Sequence, residues 1–93
     1  IVDGIIGMEG NGPIEGKAKA AGVLVLGDDP VAVDATVARL MKIDPRKVPH
    51  LAEAGRFMGN VEWENIHHIG ERFDTYQQDF SVLPMFQNLK TLT

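Results

Sequence analysis

The chain contains no cysteine, and this absence excludes several kinds of chemistry within its 93 residues. Disulfide bonds, thiolate zinc sites, iron–sulfur ligation and cysteine nucleophiles all require a thiol. Long apolar runs are also missing, because none approaches the roughly 20 residues of a membrane span. Asp3 interrupts the opening apolar stretch, so no signal peptide is predicted. The sequence therefore predicts a cytoplasmic protein with no membrane partner.

Clusters of basic residues are absent as well. The nine lysines and arginines are scattered, and the formal net charge is −4. A non-specific nucleic-acid surface needs Lys and Arg gathered on one face, so we expect no nucleic-acid partner. The start at Ile1 without a methionine suggests a fragment, and 93 residues make one domain or a piece of one.

What the sequence does contain is a glycine-rich segment after a short β-branched run. Residues 1–6 are predicted to form a strand, and residues 7–13, with three glycines, are predicted to form a loop that extends through residues 14–21. A glycine-rich loop after a strand can bind an anion with its backbone amides. The spacing matches neither a P-loop nor a dinucleotide fingerprint, and the alternative is a structural turn.

The clearest predicted strand is the apolar run from Gly22 to Gly27. A run without polar alternation is typical of a strand buried on both faces, as in a parallel or mixed sheet covered by helices. Alternation of strands and helices predicts the α/β class, with a small mixed or parallel sheet and flanking helices.

A helix is predicted over residues 30–43, with Asp29 as its N-cap and Pro30 at its first position. Its periodicity places Thr36, Arg39 and Lys42 opposite the apolar stripe, with Asp34 at the edge of that stripe. A shorter helix is predicted over residues 48–56 and a strand over residues 66–71. The tail, residues 73–93, is too aromatic for a disordered segment and is expected to pack on the core or on a partner.

Acidic residues at the end of the strand make the second candidate site. Carboxylates at this position can bind a divalent cation or act as acid and base. Asp29 can instead be only a helix cap, Asp34 a bracing residue, and Asp3 a bracing residue for the loop. No metal-ligand set and no catalytic residue is assigned. The candidate ligand-binding residues are Asp3, Glu9, Gly10, Asn11, Gly12, Asp29 and Asp34.

Two motifs in this order resemble the family known as domain of unknown function 362. Residues 3–13, DGIIGMEGNGP, resemble its D-x-I-x-G-M-E-G-x-G-P segment, and residues 29–35, DPVAVDA, resemble its D-P-V-A-x-D-A helix. The resemblance covers about residues 1–72, as the C-terminal part of an α/β domain, and leaves out the tail.

The resemblance also implies a possible setting for the chain. Members are generally longer and are often accompanied by a ferredoxin-like iron–sulfur module, so a cluster could lie only in a region outside this chain. Two hypotheses follow: a ligand-binding part of an α/β domain that acts with such a module in electron transfer, or a structural and interaction module without catalytic activity. The expected partner is the missing part of the same protein or a second copy.

Overall fold

The structure is a computed structural model that describes residues 1–12, 15–70, 77–82 and 84–90. Strands and helices occur together in this part of the chain, which confirms the α/β class. The elements are β1 (Val2–Gly4), β2 (Gly7–Asn11), β3 (Glu15–Lys19), β4 (Val23–Val25), α1 (Pro30–Leu40) and α2 (Pro49–Phe57), with 3₁₀ turns at Pro45–Lys47, Trp63–Asn65 and Pro84–Lys90.

The four strands form one folded-back ribbon. β2 pairs with β3, β1 pairs with β4, and both pairings are antiparallel. Between the two pairings, residues 5–6 lie opposite residues 20–22, so the ribbon carries one extra residue, as a β-bulge does. Gly22 adopts a φ of 74° there, and its N–H donates to the carbonyl of Ile5 at 3.0 Å. The ribbon therefore bends where glycine allows the backbone to turn.

The predicted loop over residues 7–13 was wrong for its described residues. Gly7–Asn11 is strand β2, and Glu15–Lys19, which was expected to extend the loop, is strand β3. Pairing with a non-local partner overrides the poor strand propensity of the glycines. Residues 13 and 14 lie outside the described residues.

The prediction of a central strand buried on both faces was also wrong for this chain. β4 covers only Val23–Val25 and pairs with β1 alone among the described strands. Its burial alternates: the valines are half-buried, whereas Leu24 is 59% exposed and Leu26, just beyond the strand, is 67% exposed. An antiparallel strand with one uncovered face produces this alternation.

The helices agree with their predicted ranges more closely than the strands do. α1 begins at the predicted proline and ends at Leu40, and α2 lies within one residue of its predicted start and end. The Asp29 carboxylate accepts the N–H groups of Val31 and Ala32 at 3.0 and 3.1 Å, which confirms it as the N-cap. The core joins α1 to the segment after α2 through Val31, Ala35 and Val61, with Ala54 and Ile66 against them.

One face of α1 was assigned wrongly from its periodicity. Thr36 and Arg39, expected on the solvent side, are 9% and 6% exposed. The Arg39 guanidinium lies over the Trp63 ring, 5.8 Å from its centroid. The turn at Trp63–Asn65 thus covers a second side of the helix, which the local pattern does not encode.

The predicted strand at residues 66–71 is absent among its described residues, 66–70, which follow the Trp63–Asn65 turn without strand pairing. In the described part of the tail, Phe80 is buried at 7% exposure. Phe73 and Tyr76, also part of the tail expectation, lie outside the described residues. None of the helices in the described ranges is long and apolar enough to cross a membrane.

Replacing Asp29 by alanine is expected to lower the free energy of unfolding by about 1–2 kcal/mol, because two helix N–H groups lose their acceptor. Chemical denaturation of the wild type and the variant measures the difference. Asp28→Ala is the matched control, since Asp28 is exposed and adjacent. Equal losses in the two variants would contradict the cap.

Candidate functional site

A groove of about 590 Å³ lies alongside β4 and is the principal concavity beside the predicted acidic cluster. Ligand pockets commonly have volumes of about 300–1,000 Å³. Three parts of the chain line it: the strand and its exit (residues 22–29), one side of α1 (Ala32, Val33, Thr36 and Leu40), and the segment after α2 (Asn60 and residues 65–70).

Asp29 is the candidate residue that the groove does include, and both of its oxygens are engaged. Besides capping α1 through Oδ1, it accepts the backbone N–H of Asn60 through Oδ2 at 3.0 Å and the Asn60 amide at 3.4 Å. The hydrogen bond from the Ala32 N–H is the largest cause that lowers the pKa of Asp29, and the Asn60 and Val31 N–H groups add to it. The carboxylate is therefore a structural link between α1 and the turn after α2.

Gly59 makes this link possible by its lack of a side chain. A Cβ placed on Gly59 would overlap the Asp29 carboxylate and would come within 2.8 Å of the Val31 Cβ. Glycine is thus required here for close approach of two chain segments.

The other two acids near the strand end differ from Asp29. Asp28 is exposed and lines the groove, and so it can reach a bound molecule. Asp34 is exposed on α1 and does not line the groove. Since Asp34 lies in solvent, it avoids the desolvation cost that a carboxylate at an apolar stripe would incur.

Asp3 lies on the exposed face of β1, opposite Leu24. Its Oδ1 accepts the N–H of Ile5 at 3.1 Å. A carboxylate that accepts the N–H two residues ahead braces a local bend, which matches the bracing alternative considered for this residue.

Glu9 connects the ribbon to the tail. Its carboxylate accepts the Ser81 N–H at 2.8 Å, and the Gly10 N–H donates to the Ser81 carbonyl at 2.8 Å. Lys19 lies 3.7 Å from the same carboxylate. The Ser81 N–H is the largest cause that lowers the pKa of Glu9, and Lys19 lowers it further.

Asn11 and Gly12 belong to the tip of the β2–β3 hairpin. The Asn11 amide donates to the Glu15 carboxylate at 3.0 Å. Gly10, with a φ of 86°, occupies the left-handed region that favours glycine. These residues, together with Glu9, brace the hairpin and its contact with the tail, and the groove lining does not include them.

The structure therefore does not bring the seven candidate residues into one cavity. Sequence reasoning did not select five polar residues that line the groove: Thr36, Asn60, Asn65, His67 and His68. His68 stacks on Trp63 with ring centroids 4.4 Å apart. Burial lowers the pKa of His68, and the positive charge of Arg39 lowers it further. Adjacency of two histidines was a visible signal, but their placement depends on the non-local turn at Trp63.

No three of the acidic and histidine side chains converge into a metal-binding group within residues 1–12, 15–70, 77–82 and 84–90. Iron–sulfur ligation does not fit this chain either, since it has no cysteine. The donor set of the groove is thus made of carboxylate, amide, hydroxyl and imidazole groups.

The described residues define a mixed α/β protein with an open groove beside an edge strand, and part of it is similar to a known family. Residues 1–39 match the family model described as "Domain of unknown function (DUF362)". The match confirms the resemblance inferred from the two motifs, while the boundary at residue 72 stays a prediction.

One curated relative matches a longer segment of the chain than the family model does. The "Thylakoid-associated protein sll1697" of Synechocystis sp. (strain ATCC 27184 / PCC 6803 / Kazusa) is 36% identical over 56 residues, which are 60% of this chain and 17% of that protein. The matched segment thus spans about a sixth of the relative's length. No solved structure matches the chain.

The pKa of the Glu9 carboxyl should lie below the ordinary glutamate value of about 4.3. A depressed folded-state pKa means that this carboxylate stabilises the fold fully above its ordinary pKa and loses that effect as pH falls through the folded value. NMR titration of the carboxyl measures it. In Lys19→Gln the pKa should rise only in part, because the Ser81 N–H is the larger cause. Complete return to the ordinary value in that variant would contradict the Ser81 contact.

Proposed function

We propose that this chain is an interaction module: the part of a longer α/β domain that docks onto the rest of that domain through an apolar face. The observation that carries the proposal is the alternation along β1 and β4. Its outward positions form a surface, here called the leucine face, made of Ile1, Ile5, Leu24 and Leu26, which are 91%, 54%, 59% and 67% exposed.

An exposed apolar surface of this kind is unusual on a protein that functions as a monomer. Scattered exposed apolar side chains are ordinary, but contiguous patches commonly mark contact surfaces. Register places these side chains on one face, because Asp3 lies opposite Leu24 and Ile1 and Leu26 extend the same antiparallel ladder. The Asp3 carboxylate, which accepts the Ile5 N–H, lies on this face between Ile1 and Ile5. A two-stranded sheet is also marginal in water without a further strand or a packing layer.

The separation of the polar candidate residues supports the same proposal. A catalytic or ligand site gathers its polar groups, whereas Asp3, Glu9 and Asp34 lie outside the groove lining. Their contacts are with the chain itself: Asp3 bonds the N–H of Ile5, and Glu9 bonds the N–H of Ser81. The carboxylates of Asp3 and Glu9 are thus accounted for by folding contacts, and the leucine face is not.

The isolated 93-residue chain is expected to self-associate, because its leucine face has no cover. Sedimentation velocity over a range of concentrations measures this, and Leu24→Ser combined with Leu26→Ser should shift the chain toward monomer. Met85→Ser is the matched control, since Met85 is 74% exposed and belongs to the Pro84–Lys90 turn. A wild-type monomer at all concentrations, with a cooperative melt that is independent of concentration, would refute the docking function.

A second candidate function is favoured by the polar end of the groove. Asp28, Asn60, Asn65 and Thr36 line it together with the apolar wall of β4, and pockets of this mixed character bind small molecules. Under this proposal the chain is the ligand-binding part of a cytoplasmic protein, and any iron–sulfur module for electron transfer lies elsewhere in the full-length protein.

Melting temperatures measured in the presence of Mg²⁺, Ca²⁺ and a panel of small polar metabolites test the second candidate. A ligand that binds the folded chain raises the melting temperature. Asp28→Asn and Asn65→Ala should abolish the increase, whereas Glu53→Gln, at an exposed position on α2, should retain it. Iron measured on the full-length protein tests the accompanying module. No shift with any compound, together with absence of iron, rejects this candidate.

A further inference from the structure

The strands of the ribbon, all of which the structure describes, contribute no fully buried side chain to the core. Every residue along β1, β2, β3 and β4 is half-buried or exposed. Among the described residues, the buried apolar side chains belong to the two helices, to Val61 and to Phe80 of the tail. A two-stranded sheet is marginal in water unless another layer packs on it. The ribbon therefore needs a link to the helices.

The tail contacts the carboxyl end of α1 through hydrogen bonds to its last turn. The N–H of Gln78 donates to the Leu40 carbonyl at 2.7 Å, and the N–H of Phe80 donates to the Met41 carbonyl at 3.4 Å. The side-chain amide of Gln77 donates to a further carbonyl of the same turn at 2.8 Å. Because the last carbonyls of an α-helix have no partner inside the helix, donors from another segment stabilise this end.

The same short segment of the tail also contacts the ribbon. The side-chain amide of Gln78 donates to the carbonyl of Ala21, in the bend of the ribbon, at 2.9 Å. The Phe80 ring lies against Gly7, where a Cβ would come within 3.3 Å of the ring, so glycine leaves room for it. Ser81 adds its hydrogen bonds to β2. Successive residues of the tail thus bind the end of the helix and the ribbon together.

We propose that residues 77–81, here called the strap, hold the ribbon on α1 and set the position of the leucine face relative to the helices. Gln78 joins the two sides directly, because its backbone binds the helix end and its side chain binds the ribbon. Phe80 supplies the buried apolar contact at this junction. Both β4 and α1 line the open groove, so direct packing between them is incomplete. The inference goes beyond the docking function, since it does not depend on what covers the leucine face.

Amide hydrogen exchange in the variants Phe80→Ala and Gln78→Ala tests the strap. Exchange in β2 and β3 should become at least about tenfold faster, and exchange at residues 35–38 of α1 should change by less than about threefold, because a released ribbon opens without the helices. Phe86→Ala and Gln87→Ala are the matched controls, since Phe86 is 45% exposed and the Gln87 amide donates within the tail. Equal acceleration in the ribbon and in α1, or none in either, overturns the proposal. Gln78→Ala decides the matter if Phe80→Ala does not fold.

A distance between the ribbon and the helices gives a second test. The chain has no cysteine, so Lys17→Cys on β3 and Glu53→Cys on α2 place one spin label at an exposed position of each part. With labelled chain diluted in unlabelled chain, pulsed electron resonance should give a narrow distance distribution that broadens in Gln78→Ala and stays narrow in Gln87→Ala. An unchanged distribution in Gln78→Ala overturns the strap. Sedimentation reports the leucine face separately, so the strap can fail while docking stands.

Discussion

The Asp29 carboxylate is the interaction on which the arrangement of the groove depends. One oxygen receives two N–H groups at the start of α1, and the other receives the backbone and side chain of Asn60. This single group therefore fixes three things relative to one another: the end of β4, the direction of α1, and the turn that leads from α2 to the opposite wall. Bonds from several N–H groups stabilise the ionised form, which is why its pKa is lowered although burial opposes this.

The parts of the fold that could be predicted are those that local chemistry specifies. An aspartate followed by a proline marks a helical start: Asp29–Pro30 begins α1, and Asp44–Pro45 begins the 3₁₀ turn at Pro45–Lys47. The ribbon could not be predicted in this way. The glycines of Gly7–Asn11 indicate a loop, and the segment forms a strand because it pairs with Glu15–Lys19. Glycine lowers strand propensity, but a hairpin register supplies the hydrogen bonds that the local sequence does not indicate.

The candidate site was predictable only in the same local sense. The end of β4 was predicted to be a ligand-binding edge, and Asp28 and Asp29 do line the groove. Asn60, Asn65 and the two histidines arrive from residues about 30 to 40 positions further along, and no spacing rule connects them to β4. The burial of Arg39 could not be predicted for the same reason, because the Trp63 ring that lies against it belongs to a turn distant in sequence.

Arg39 shows how one face of α1 is closed by contacts within the chain. Its guanidinium is buried, and its Nη1 has no hydrogen-bond partner among the residues that the structure describes. Burial lowers its pKa, although Glu62 and Asp44 oppose this. A buried charge with incomplete hydrogen bonding is costly unless neighbouring charges and an aromatic face compensate. The face of α1 near Trp63 is thus closed by polar and aromatic contacts within the chain, whereas the face near Val33 borders the open groove. The lining of the groove is mixed, because β4 contributes valine and leucine side chains while Asp28, Asn60 and Asn65 contribute polar groups.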